Sequence, residues 1–214
     1  MPIRAVFFDI GATLISEDRL WARWADWLGV PHLTFFAAMG SAIERDERLE
    51  RVFEYFKPGF NLEEEEAARA AAGVPNVFDA KDLYPDAVPC LQALKDAGLF
   101  VGLAGNQPAS AEGSLRVLDL PVEVIGVSAA WGVAKPSPEF FAKLTQIAAL
   151  PPAEIAYVGD RLDNDILPAK AAGMVSVFLR RGPWGVIHAR RPEAALADIR
   201  IDSLTKLPDA LQTY

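Results

Sequence analysis

The stretch Ile3-Arg4-Ala5-Val6-Phe7-Phe8-Asp9-Ile10-Gly11-Ala12-Thr13 decides how the 214-residue chain is read. Residues 3–8 are a short run of branched and aromatic side chains, the signature of a strand buried on both faces. A carboxylate, Asp9, follows at once, then Gly11. Similar apolar runs recur at 100–104, 122–127, 155–158 and 175–179, with a weaker one at 198–201. Helical periodicity fills the gaps at 86–97, 110–118, 138–149 and 165–172. Strand and helix in alternation predict an α/β fold, a doubly wound parallel sheet with right-handed crossovers.

The alternation fails between Thr13 and Asp82, where only helical patterns occur. Leu20, Trp21, Trp24 and Trp27 with Leu28 make one apolar stripe. A second helix is expected from about Thr34 to Phe56, stopped by Lys57-Pro58-Gly59. Asn61 and Glu64 read as a capping box opening a third helix over 62–72, which Gly73 and Pro75 end. The expected organisation is a core of residues 1–15 and 83–214 and a helical insert of residues 16–82, an ordinary size for a small lid domain.

Composition narrows the function. Hydrophobic residues make up 51% of the chain, which excludes disorder. Twenty-one Lys and Arg against 29 Asp and Glu give a net charge of −8. That balance argues against nucleic acid or an anionic membrane as partner. Residues 44–66 hold nine acids and four bases, so −5 of the −8 falls on the insert, where it serves solubility. Cys90 has no partner for an internal disulfide, no apolar run is long enough to span a bilayer, and the N-terminus does not read as a signal peptide. A cytoplasmic location is the expectation. Two histidines, His32 and His188, make a zinc site of His and Cys improbable on count alone and read as surface residues.

Ligands of doubly wound sheets bind beyond the carboxyl ends of the strands. Those ends carry Asp9, then Gly105 and Asn106, then Lys135, then Asp160 with Asp163, Asn164 and Asp165. Carboxylates gathered with one lysine suit a hard cation such as Mg²⁺ together with a phosphate. An Asp in such a place can also act as a nucleophile.

Four ordered segments carry a family likeness: FFDIGATLI at 7–15, GLAGN at 102–106, GVAKPSPEFF at 132–141 and YVGDRLDNDILPAKAAGM at 157–174. They resemble the motifs of the haloacid dehalogenase superfamily. The stretches at 84–98 and 198–211 extend the likeness, and the insert matches the position of that family's C1-type helical cap. The resemblance implies a Rossmann-like core and a hydrolase, a phosphatase acting on a small phosphorylated molecule through an aspartyl-phosphate. It implies Asp9 as nucleophile, Lys135 as the cation that neutralises nucleophile and phosphoryl group, and Gly105, Asn106 and Lys135 as the phosphate-binding set. It further implies Mg²⁺ held by Asp9, the Gly11 carbonyl, Asp160 and Asp165, under a cap that closes to exclude water.

Two positions depart from that pattern. The family's phosphatases place a second Asp, the general acid and base, where this chain has Gly11, and a Ser or Thr where it has Gly105. Proton transfer of that kind is worth about 10²–10⁴ in rate, so weak activity is one expectation. A phosphonate hydrolase, a dehalogenase and a non-catalytic binder of phosphorylated ligands or proteins are the alternatives.

Overall fold

The computed structural model describes residues 2–74 and 78–214. Six parallel strands form one sheet: β1 (Ala5–Phe8), β2 (Phe100–Gly105), β3 (Val124–Val127), β4 (Ile155–Gly159), β5 (Val175–Leu179) and β6 (Ile199–Ile201). Their order is β3-β2-β1-β4-β5-β6, and every neighbouring pair is parallel. Every residue of β1, β4 and β5 is buried, as expected of inner strands covered on both faces. Alternation along β1 sends Val6 and Phe8 into one core layer and Ala5 and Phe7 into the other. The order reverses between β1 and β4, so the crevice for ligands opens where these two strands end.

The chain divides into two compact units, Met1–Ser16 with Phe78–Tyr214, and Glu17–Val77. Among the described residues the second unit holds four helices: α1 (Asp18–Leu28), α2 (His32–Glu44), α3 (Glu50–Phe56) and α4 (Leu62–Ala71). The aromatic stripe of α1 is core: Trp21 and Trp24 are buried, and Trp24 meets Phe53 at 5.0 Å. Phe53 in turn stacks on Phe60 at 4.3 Å. Arg69 of α4 is also buried, its guanidinium 4.0 Å from the Trp24 ring centre. Burial pulls the Arg69 pKa below its usual range.

The single helix expected over 34–56 is two helices. The chain leaves the α conformation after Glu44, and Asp46 takes a positive φ of 55°. Arg45 holds the break by donating to Ser41, Glu47 and Tyr55. Periodicity alone carried no mark of this stop, because the charged run Glu44–Glu50 is as compatible with a solvated helix face. Asn61 caps α4 by accepting from the N–H groups of Glu63 and Glu64. Pro75, expected to end that helix, lies outside the described residues.

The first unit's helices are α5 (Ala87–Asp96), α6 (Ala109–Val117), α7 (Ser128–Trp131), α8 (Pro138–Ala148), α9 (Leu167–Ala171), α10 (Gly182–His188) and α11 (Leu207–Thr213). Leu91 and Leu94 of α5 pack with Leu207 and Leu211 of α11 on one face of the sheet. Phe140, Phe141 and Leu144 of α8 cover the other face. The helix expected to start at Asp165 begins at Leu167, because Leu162–Ile166 form a single π-turn. Among the described residues, no helix is long and apolar enough to cross a membrane.

Candidate active site

The end of β1 places Asp9 at the crevice, where its N–H donates to the carbonyl of Val158 on β4 at 2.8 Å. The chain then folds back on itself. Ile15 N–H donates to the Ile10 carbonyl and Ala12 N–H donates to the Ile15 carbonyl, an isolated bridge that does not engage the carbonyl of Gly11. Ala12 sits in this turn with φ 52°, in the left-handed region that costs a residue bearing Cβ about 1–2 kcal/mol.

The opposite wall comes from β4. Gly159 ends the strand, Asp160 follows, and the π-turn returns Asp165 over Gly159. A Cβ on Gly159 would lie 2.4 Å from the Asp165 carboxyl carbon, so only glycine admits this approach. Asp9, Asp160 and Asp165 are buried, and each offers a carboxylate oxygen within 4.8 Å of the others. Three carboxylates with one lysine leave a surplus of negative charge. Burial, reinforced by Asp9, pushes the pKa of Asp165 up to about 6 even against the pull of Lys135.

Lys135 is the centre of the cluster. Its ammonium lies 2.6 Å from Asp9 Oδ1 and 2.6 Å from Asp165 Oδ1, and only 5% of the residue is exposed. Burial alone would strip its charge; Asp165 and Asp9 reverse that and hold its pKa well above the ordinary lysine range. Lys135 Nζ also lies 5.4 Å from the Tyr157 ring centre.

Asn106 places that lysine. Its amide nitrogen donates to the Lys135 carbonyl at 2.9 Å, and its amide oxygen accepts from the Lys135 N–H at 2.8 Å. Both ends of the side chain therefore position the lysine backbone. Gly105, just before it, is close to Asp9: a Cβ there would lie 2.9 Å from Asp9 Oδ1. Gly11 follows Asp9 in the turn and brings only backbone.

Several supporting contacts were not read from the sequence. Tyr157 donates its hydroxyl to the Ala104 carbonyl at 2.7 Å, tying β4 to β2 across β1. Arg161 pairs with Asp163 and lies 4.9 Å from the Trp184 ring centre. Arg161 N–H donates to Asp165 Oδ2 at 2.9 Å, which fixes the carboxylate that Lys135 also holds. His188, expected at the surface, is 1% exposed: its Nδ1 accepts from the Leu162 N–H at 3.1 Å and supports the π-turn from α10. A lone histidine at the end of an unremarkable segment carries no sequence signal for such a contact.

The donor set fits a small hard cation. It consists of oxygens alone, it is buried, and its surplus negative charge requires a counter-charge before an anion can enter.

The chain matches the family described as haloacid dehalogenase-like hydrolase over residues 3–173. A glyceraldehyde 3-phosphate phosphatase of Methanopyrus kandleri is 34% identical over 134 residues, which is 60% of this chain and 56% of that protein. The match thus spans a little over half the length of that relative. A protein of the same name from Pyrococcus furiosus is 29% identical, with 98% of this chain and 93% of that protein covered. A solved structure of a putative haloacid dehalogenase-like hydrolase from Bacteroides fragilis superposes with a TM-score of 0.70 at 19% identity, covering 96% of this chain and 99% of that one. At that identity the likeness is one of fold.

Proposed function

The chain belongs to the haloacid dehalogenase-like hydrolases, and from that premise we propose that it is a phosphatase that passes the phosphoryl group of a small phosphate ester to Asp9 and then to water. The observation that carries this reading is the buried ammonium of Lys135 shared between Asp9 and Asp165. An enzyme that brings a dianionic phosphate to a carboxylate nucleophile needs fixed positive charge at that spot, and a structural lysine has no need of a buried place among three acids.

Asp9 attacks phosphorus through a carboxylate oxygen, and the ester oxygen departs. Lys135 holds the Asp9 carboxylate in one orientation and neutralises charge as it moves onto the phosphoryl oxygens. Asn106 keeps the lysine in place, and Gly105 leaves room beside Asp9 for the incoming group. Water then attacks the aspartyl-phosphate and frees Asp9.

Asp9, Asp160, Asp165 and the carbonyl of Gly11 are the groups that would hold Mg²⁺. When bound, the ion supplies the counter-charge that lets a phosphate approach three carboxylates and stabilises charge in transfer. Asp160 and Asp165 also weigh against dehalogenation, which needs no such acidic pair. The named activity of the archaeal relatives supports a small phosphorylated substrate.

The test is phosphate release from a panel of small phosphoesters, with and without Mg²⁺, beside Asp9→Asn. Metal-dependent release that vanishes in Asp9→Asn is expected. Release undiminished by Asp9→Asn overturns the reading.

A further inference from the structure

We propose that this site acts on phosphoryl groups whose leaving oxygen departs as a stable anion without being protonated, the acyl and aryl phosphates, in preference to alkyl phosphate esters. The inference rests on the phosphatase reading above and names its substrate class.

It follows from where the protons are. Two residues beyond Asp9 the chain has Gly11, with no side chain, and beyond it the methyl of Ala12. Lys135 is held at 2.6 Å by two carboxylates at once. The Tyr157 hydroxyl is fully buried and already donates to Ala104. The Asn106 amide is committed to the Lys135 backbone. Asp165 accepts through both oxygens, from Lys135 and from the Arg161 N–H. None of these groups, with the contacts they make, is placed to hand a proton to a departing oxygen.

In the first step the Asp9 oxygen forms a bond to phosphorus and the bond from phosphorus to the leaving oxygen breaks. That oxygen takes the electron pair away as an anion. A carboxylate or a phenolate bears this charge readily; an alkoxide does not. In the second step water adds to phosphorus, the acyl–oxygen–phosphorus bridge breaks at phosphorus, Asp9 regains its carboxylate, and dihydrogen phosphate leaves, losing a proton to solvent. Only the first step depends on the leaving oxygen, and general acid help to it is worth about 10²–10⁴ in rate.

The experiment measures kcat/KM with Mg²⁺ for substituted phenyl phosphates of one shape, acetyl phosphate and glycerol phosphate. The expected result is a steep fall as the leaving oxygen becomes more basic, with the alkyl ester at least about 10²-fold below para-nitrophenyl phosphate. Gly11→Asp restores a carboxyl group in the turn. It is expected to raise the alkyl ester by about 10²-fold or more and the nitrophenyl ester by less, which flattens the series. Should Gly11→Asp fail to fold, the wild-type series alone decides. A flat wild-type series, with alkyl and aryl esters within about tenfold, overturns this proposal, because it means an acid reaches the leaving group. If Asp9→Asn is dead in that case, the phosphatase reading stands. No turnover of any member, acetyl phosphate included, overturns both.

Discussion

Ala12 and Gly182 should be energetically coupled, although 170 positions separate them in the chain. Ala12 holds a left-handed φ of 52° in the turn after Asp9. Gly182, opening α10, holds φ 63°, and a Cβ added to it would lie 2.6 Å from the Ala12 Cβ. Gly182→Ala therefore meets two costs: about 1–2 kcal/mol for a side chain in the left-handed region, and about 1–3 kcal/mol for forcing a methyl into a packed contact. The total is a loss of about 2–5 kcal/mol. Ala12→Gly removes the obstructing methyl, after which the closest atom of residue 12 to that Cβ is its Cα at 3.6 Å, ordinary contact. In the Ala12→Gly background the same Gly182→Ala change should cost only the backbone part, about 1–2 kcal/mol. Urea denaturation of the four proteins of the cycle reads the difference, an expected coupling of about 1–3 kcal/mol. Additivity within about 0.5 kcal/mol would refute the claim that glycine at 182 is what accommodates alanine at 12.

Lys135→Met removes the ammonium that buried Asp9 and Asp165 share and should destabilise the fold by about 3–5 kcal/mol in urea titrations; an unchanged midpoint would refute the burial argument. Burial alone would raise the Asp86 carboxyl, but hydrogen bonds from Arg181, Ser203 and the Leu204 N–H win and hold it below its ordinary value. A group depressed in the folded state adds stability above its unfolded pKa and loses it as pH falls through the folded one. The stability gap between wild type and Asp86→Asn should thus be constant near neutrality and shrink below about pH 4; a gap that widens there contradicts the sign. Burial pushes the Cys90 thiol up to about 12, so its reaction with a thiol reagent should follow the unfolded fraction across a urea series, and fast labelling of native protein would disprove its burial.

Much of this fold is visible in local pattern. Inner strands read as continuous apolar runs because both faces are covered, and β5 matches its expected bounds, 175–179. The stripe in α1 reads as helix and as core because tryptophans three apart, Trp21 and Trp24, share one face. What escaped the pattern depends on single contacts. The break between α2 and α3 rests on Arg45 and a positive φ at Asp46, neither of which alters hydrophobic spacing. The π-turn at 162–166 exists because Asp165 folds back over Gly159 and His188 receives the Leu162 N–H, and both are tertiary events.

The sequence by itself determined the alternation of strands and helices, the interruption after the first strand and the order in which Asp9, Lys135, Asp160 and Asp165 arrive at strand ends. Those features follow from burial period and chain order, which are local. Only the tertiary structure decided that Lys135, 126 positions from Asp9 and 30 from Asp165, bonds both. It also decided that Asn106 serves this lysine and that His188 lies beneath the π-turn. A parallel sheet joins strands through long crossovers, so residues remote in sequence meet at its carboxyl edge, and no local pattern records which of them touch.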